Sequence, residues 1–371
     1  MSPKYDDILR YEEEFHEGEQ KFSRKERKRI TEGDRSKYKK TDQDQLKKNA
    51  LVPTDSESEL PKPPVGRVLS IHPEGVQVEY QEKLYRCSLK GTLKKEKSNF
   101  KNLVAVGDFV QFQLRGEEEG LIVHIEPRKS ILSRADNLHR RKQQLIAVNI
   151  DQVIITSSIH YPPLKPFLID RYIIAAQKGK MDPVIVINKI DLLQEDTEEH
   201  ALLLECQEAY RALSIPFIMI SIKTGQGVDE LKKLMQNKSS VFSGQSGVGK
   251  SSLINTMTGM DLKTGGVVFK TFKGSHTTTT TQLIPLPNGG FCIDTPGIKS
   301  FGLWDLEESE IQHYFAEISE LSSQCRFIGC SHQTEQDCAV KQAVEENKIS
   351  FVRFASYSAL IETVREEHRN R

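Results

Sequence analysis

Long apolar runs are what this 371-residue sequence most plainly lacks. No stretch of about eighteen consecutive apolar residues occurs, which excludes a membrane-spanning helix. The N-terminus is acidic and carries no apolar core, so a secretory signal peptide is not expected. Net charge is missing too: 52 Lys and Arg balance 52 Asp and Glu, and the total does not mark a polyanionic partner. Cysteine is scarce, at six residues. Cys87, Cys206 and Cys292 stand alone in apolar surroundings, while Cys325, Cys330 and Cys338 cluster, and this is not a disulfide framework. These absences lead us to expect a soluble, reduced, cytoplasmic protein with no membrane partner.

Charge is present but unevenly spread. The first twenty residues are acidic, and residues 21–48 are dominated by Lys and Arg. Residues 1–62 show neither helical nor strand periodicity and run into the Pro-rich Leu60-Pro61-Lys62-Pro63-Pro64, so we expect a charged tail that is disordered or helix-prone. Its basic middle is read either as a solvated stretch or as a ribonucleic-acid contact.

The pattern changes over residues 63–129. Val76, Val78 and Tyr80 alternate with polar residues, as do Tyr85, Cys87 and Leu89, then Val110, Phe112 and Leu114, then Leu121, Val123 and Ile125. Period-two alternation over short runs predicts a small antiparallel β-barrel of the OB type, although spacing alone does not separate it from an SH3-like barrel. Tyr80, Tyr85, Phe109 and Phe112 alternate as core residues do, which favours a basic face over an aromatic stacking surface for any RNA contact. Over residues 130–305 apolar segments at 145–156, 184–187, 217–221, 240–242 and 291–293 are interleaved with helical stretches such as 168–178 and 198–212. That predicts a parallel α/β sheet covered on both faces. Residues 306–371 read as helical, at 307–321, 338–346 and 350–365, around the cysteine cluster.

Gly244-Gln245-Ser246-Gly247-Val248-Gly249-Lys250-Ser251-Ser252 stands between a strand and a helix and fits G-x-x-x-x-G-K-S. Glycines allow the tight wrap that exposes backbone N–H groups to phosphates, and the helix start adds a favourable dipole. Lys250 is expected to reach the β- and γ-phosphates, and the Ser251 hydroxyl to ligate Mg²⁺.

Asn188-Lys189-Ile190-Asp191 closes an apolar strand and is the pattern of a guanine reader. The Asp191 carboxylate accepts from the N1–H and exocyclic amine of guanine, which adenine does not offer, while Asn188 and the Lys189 stem shape the pocket. Ser221, with Lys223, is placed to cap the base from the other side. Asp294-Thr295-Pro296-Gly297 fits D-x-x-G, with Asp294 serving Mg²⁺ and the Gly297 N–H sensing the γ-phosphate. Upstream, His276 precedes five threonines, and either Thr277 or Thr278 is the expected Mg²⁺ ligand of the first switch. Ile298 stands where Ras-type GTPases have a water-orienting Gln. His276 is the candidate substitute, orienting the attacking water or only supporting the switch. Base reader, phosphate loop and D-x-x-G therefore run in circularly permuted order.

Cys325, Cys330, His332 and Cys338 supply three sulfurs and one imidazole, a set suited to one closed, structural, tetrahedral Zn²⁺. Zinc would staple a helical module too small to hold a core of its own.

The order N-K-I-D, S-x-K, G-Q-S-G-V-G-K-S-S, H-T-T-T, D-T-P-G and C-x4-C-x-H-x5-C, behind a small barrel, resembles the RsgA (YjeQ) family of circularly permuted GTPases. The resemblance covers Val65 to the C-terminus. It implies an OB-fold, a permuted GTPase domain and a zinc domain. It also implies GTP hydrolysis stimulated by the small ribosomal subunit, contact with that subunit's rRNA, and a role in late subunit maturation. GTP or GDP would be held by residues 188–191 and 244–252, and zinc by Cys325, Cys330, His332 and Cys338. Apart from the resemblance, the protein is expected to be a monomer. Three features depart from the family pattern: the five-Thr run, Gln336 in place of a common Pro, and a tail of about sixty residues. Two other readings compete. One is an RNA-docking module whose phosphate loop only senses nucleotide. The other is an ATP-driven enzyme, which Asn188, Lys189 and Asp191 oppose.

Overall fold

The computed structural model describes residues 63–93, 100–135, 143–260, 281–294 and 306–369. The expectations for the 1–62 tail, for His276, Thr277 and Thr278, and for Gly297 lie outside these residues. No helix among the described residues is long and apolar enough to cross a membrane.

Five strands make the N-terminal barrel: β1 (Val65–His72), β2 (Gly75–Tyr80), β3 (Lys83–Leu89), β4 (Phe109–Leu114) and β5 (Glu119–Ile125). They close in the order β1-β2-β3-β5-β4, with β4 returning to β1. β3 pairs with β5 in parallel, so the barrel is no simple meander, and a closed five-stranded circuit of this kind is the OB arrangement. The alternation read in the sequence fills its interior with Val68, Val78, Cys87, Val110, Phe112 and Ile122. Tyr85 and Phe112 pack there with ring centroids 5.4 Å apart. Phe109 departs from the core expectation. It faces outward, and the Arg67 guanidinium lies 5.2 Å from its ring centroid.

β6 (Ile131–Ala135) and β7 (Gln143–Val148) form a separate ribbon. The apolar run 145–156, expected as one strand, is two. Asn149 breaks it in a left-handed conformation, with its side-chain oxygen accepting from Lys129 N–H and its amide donating to the Gly107 carbonyl. β8 (Gln152–Ser158) then opens the central sheet with β9 (Asp182–Asn188), β10 (Phe217–Met219), β11 (Ser239–Ser243), β12 (Gln282–Pro285) and β13 (Phe291–Asp294). The order is β10-β9-β8-β11-β13-β12, parallel except for β12.

Alternate strand residues feed two cores, as a sheet covered on both faces requires. Val153, Ile155, Ile185, Ile187 and Val241 pack with α1 (Pro166–Lys178) and α2 (Glu198–Ala212). Ile154, Val184, Val186 and Phe242 pack with α3 (Val228–Met235) and α4 (Lys250–Thr258). Barrel and sheet are joined where Ser70 of β1 pairs with Gln282 of β12.

The C-terminal residues are helical as expected, but 307–321 is not one helix. Buried Phe315, with φ −109° and ψ 89° outside the helical region, separates α5 (Glu308–Ile311) and a short 3-10 turn from α6 (Ala316–Ser322). α7 (Ala339–Glu345) and α8 (Phe351–Arg369) follow. Their core, with Phe315, Ile318, Tyr357, Leu360 and Ile361, also takes in Ile174 of α1.

Candidate functional site

β11 carries the phosphate loop to the C-terminal edge of the sheet, where ligands of open α/β sheets bind. Gly244 follows it at φ +141°, and a β-carbon there would meet the Thr156 carbonyl oxygen at 2.0 Å. Only glycine fits this crossing. Gly247 and Gly249 also adopt positive φ, and α4 begins at Lys250. Val248 is buried and anchors the loop from below, while Ser246 and Ser251 are exposed. Lys250 Nζ donates to the carbonyls of Gly244 and Gln245, at 2.6 Å each. Burial lowers its pKa to about 8, because those carbonyls replace water only in part.

The base reader lies beside this loop. Asn188 ends β9, is 3% exposed, and donates from Nδ2 to the Val248 carbonyl at 2.8 Å. A β-carbon on Gly249 would sit 2.4 Å from that same Nδ2, so the close approach of the two motifs also demands glycine. Lys189 is in the left-handed region and donates from Nζ to the carbonyls of His160 and Tyr161. Ile190 and Asp191 begin a 3-10 turn, with Ile190 packed against the first core. The fully buried Ser221 donates from Oγ to Asp191 Oδ1 at 2.6 Å, and Lys223 Nζ stands 4.0 Å from Asp191 Oδ2. Asn188, Lys189, Asp191, Ser221 and residues 244–252 are thus assembled along one sheet edge. Asp294 ends β13, whose Ile293 pairs with Val241 of β11, so its backbone reaches the same edge.

The second cluster joins the loops before α7. The Cys325, Cys330, His332 and Cys338 ligand atoms all lie within 4.8 Å of one another. Cys325 and Cys338 sulfurs are 3.8 Å apart, and His332 Nδ1 is 3.6 and 3.3 Å from them. Tetrahedral zinc with bonds of about 2.3 Å to sulfur and about 2.0 Å to nitrogen spaces such ligands about 3.5–3.8 Å apart. The donor set therefore fits a zinc-sized ion. Burial pushes the Cys330 thiol up to about 12, so a cation in the cage is what would hold it as thiolate.

Two supporting features carry no sequence motif. Glu335 accepts from the Ser331 N–H and hydroxyl and from the N–H groups of Gln333 and Thr334, fixing the loop that presents His332. Burial opposes its charge, but those bonds hold its carboxyl at about 2. Arg353 of α8 pairs with Asp170 of α1 and donates from Nε to Glu317 of α6 at 2.7 Å. Its guanidinium also lies 4.3 Å from the Phe315 ring centroid. Burial disfavours the charge, yet the two carboxylates outweigh it and raise the Arg353 pKa.

The RsgA GTPase family model matches residues 125–304, and the RsgA N-terminal domain model matches residues 66–122. A small ribosomal subunit biogenesis GTPase RsgA from Chlorobaculum parvum is 41% identical over 71% of this chain and 86% of its own length. The protein of the same description from Dickeya dadantii is 35% identical over 91% of this chain and 95% of its own. Among solved structures, YjeQ from Thermotoga maritima aligns with a TM-score of 0.66 and 33% identity, covering 81% of this chain and 98% of that one. YloQ, a circularly permuted GTPase, aligns at 0.65 with 28% identity, covering 84% and 98%.

Proposed function

This chain belongs to the RsgA family of GTPases, and on that premise we propose that it is a GTP hydrolase that binds the small ribosomal subunit and uses hydrolysis to time a late assembly step and its own release. The observation that carries the reading is the bond between Asn188 and the Val248 carbonyl, which ties base reader to phosphate loop although the chain meets them in permuted order.

In this proposal Asp191, held by Ser221, selects guanine, and Lys250 leaves its resting carbonyls for the β- and γ-phosphates. Ser251, Asp294 and either Thr277 or Thr278 are the side chains suited to hold Mg²⁺, which neutralises charge on the phosphates. The Gly297 N–H senses the γ-phosphate, and His276 orients the attacking water. The four-ligand cluster takes zinc, and metal analysis of chain purified without chelator should find one zinc per molecule; well under one would defeat that assignment. We further propose the modules 63–129, 130–305 and 306–371. Gly297 runs within a few residues into the last of them, so ordering of the switches acts on the surface presented to rRNA.

The timing claim is tested by small-subunit affinity in two nucleotide states. Tighter binding with a non-hydrolysable GTP analogue than with GDP is expected, and equal affinity contradicts it.

A further inference from the structure

The loop between β8 and α1, residues 159–165, belongs to none of the nucleotide motifs, yet it touches two of them. Its root is fixed: Ile159 is fully buried and donates from its N–H to the Asn188 carbonyl at 3.3 Å. Ser158 Oγ donates across the turn to the Pro162 carbonyl at 2.8 Å. Lys189 Nζ then holds the carbonyls of His160 and Tyr161. On the phosphate side, Pro162 Cδ and the Tyr161 backbone carbonyl oxygen lie 3.6 and 3.8 Å from where a β-carbon on Gly247 would be. One short, braced stretch of backbone therefore bridges base reader and phosphate loop.

The side chain at its tip is the one that sterics and solvation would least favour there. Tyr161 has φ +49°, a region that bulky residues avoid and that glycine or asparagine adopts readily. It is also 84% exposed, and among the described residues the aromatic ring beside it is that of His160, at 6.0 Å between centroids. Backbone conformation alone does not call for tyrosine at this position, and water is a poor environment for its ring. A ligand that covers the ring offsets the second cost.

The position identifies the ligand part. A guanine nucleotide with its base on Asp191 and its phosphates on residues 244–251 must pass its ribose between them, alongside this loop. The face of an aromatic ring suits the C–H surface of a sugar, through apolar burial and dispersion. We propose that Tyr161, with His160 behind it, packs on the ribose of the bound guanine nucleotide and helps set nucleotide affinity. This rests on the guanine-nucleotide reading above. GDP and GTP share the ribose, so the contact strengthens both and slows product release as well as substrate loss.

The test compares full-length wild type with Tyr161→Gly and Tyr161→Phe, titrated calorimetrically with GDP and with a non-hydrolysable GTP analogue. Tyr161→Gly removes the ring while suiting the positive φ, so thermal stability should hold or rise. Its affinity for both nucleotides should fall about tenfold, equivalent to about 1.4 kcal/mol, and Tyr161→Phe should stay within about twofold of wild type. A Tyr161→Gly chain that binds GDP as wild type does overturns the inference, including the case where only its affinity for small ribosomal subunits falls. That result leaves the guanine reading intact. Wild type that binds ADP as well as GDP defeats the guanine reading, and this inference with it.

Discussion

At the residue scale the base reader and the phosphate lysine each make a measurable claim. Ser221 donates to Asp191 Oδ1 and Lys223 Nζ stands 4.0 Å from Oδ2; in the proposed reading that carboxylate accepts from the donors of guanine. Asp191→Asn replaces one acceptor with a donor and suits xanthine, whose 2-oxo group accepts. Competition binding should show preference moving from GTP to XTP by at least about a hundredfold, since a buried polar site rejects a mismatched edge strongly; unchanged preference would contradict the base-reading role. Lys250 makes a claim about pH. Burial holds it at about 8 in the nucleotide-free protein, below its usual value, and bound phosphates would restore the charge. Nucleotide binding then takes up a proton once pH exceeds about 8, so affinity should weaken as pH rises through that value, by at most about tenfold per pH unit. Calorimetry in buffers of different ionisation enthalpy at about pH 8.5 should detect this uptake, and its absence would refute the claim. These residues were legible in the sequence because their chemistry fixes residue type and spacing together. Gly244 and Gly249 show why: a β-carbon at either would collide with Thr156 or Asn188. Tyr161 was not legible, because its meaning lies in where a loop rests.

At the element scale, the buried Arg353 joins α8 to α1 through Asp170 and to α6 through Glu317. Removing one partner strands buried charge, which costs about 3–5 kcal/mol, whereas replacing the group with apolar residues of similar volume costs far less. Arg353→Ala should therefore lower the unfolding free energy by about that amount, and Arg353→Met combined with Asp170→Leu should recover much of it. Chemical denaturation of the single and double variants measures both; a single variant as stable as wild type would show that the pair contributes nothing net. Periodicity carried no hint of this junction, because Asp170 and Arg353 are 183 residues apart and each reads as an ordinary helix-surface charge. The same limit explains the two misjudged boundaries. The strand expected over 145–156 breaks where Asn149 serves Lys129 and Gly107, and the helix expected over 307–321 breaks where Phe315 turns into a core shared with Tyr357. Both breaks are set by tertiary partners distant in sequence. Phe109 is a different case: read as a core aromatic, it sits one residue out of step with Val110 and Phe112 and so faces outward, where Arg67, held at Ser239 and Asn149, lies over its ring.

At the scale of the whole molecule, the permuted order has a mechanical consequence. β11 leads to the phosphate loop, β13 leads to Asp294, and β12 between β13 and the barrel is the strand that meets β1 at Ser70. Arg67 of the barrel also lies 4.6 Å from the ring centroid of Phe291, at the start of β13, and donates to Ser239, at the start of β11. The barrel thus contacts β11 and β13 at the ends away from residues 244–252 and pairs with β12, while α8 packs on α1. The architecture was legible as three successive patterns of periodicity, and the closure of β4 onto β1 with β3 parallel to β5 supplied what spacing alone left open between barrel types. The most direct test of the central claim is phosphate release from GTP by wild type and by His276→Ala, each with and without purified small ribosomal subunits. Wild type alone should release phosphate slowly, subunits should stimulate it strongly, and the His276→Ala chain should be stimulated little. Equal release by wild type with and without subunits would contradict it and leave a nucleotide-sensing RNA-binding module in its place.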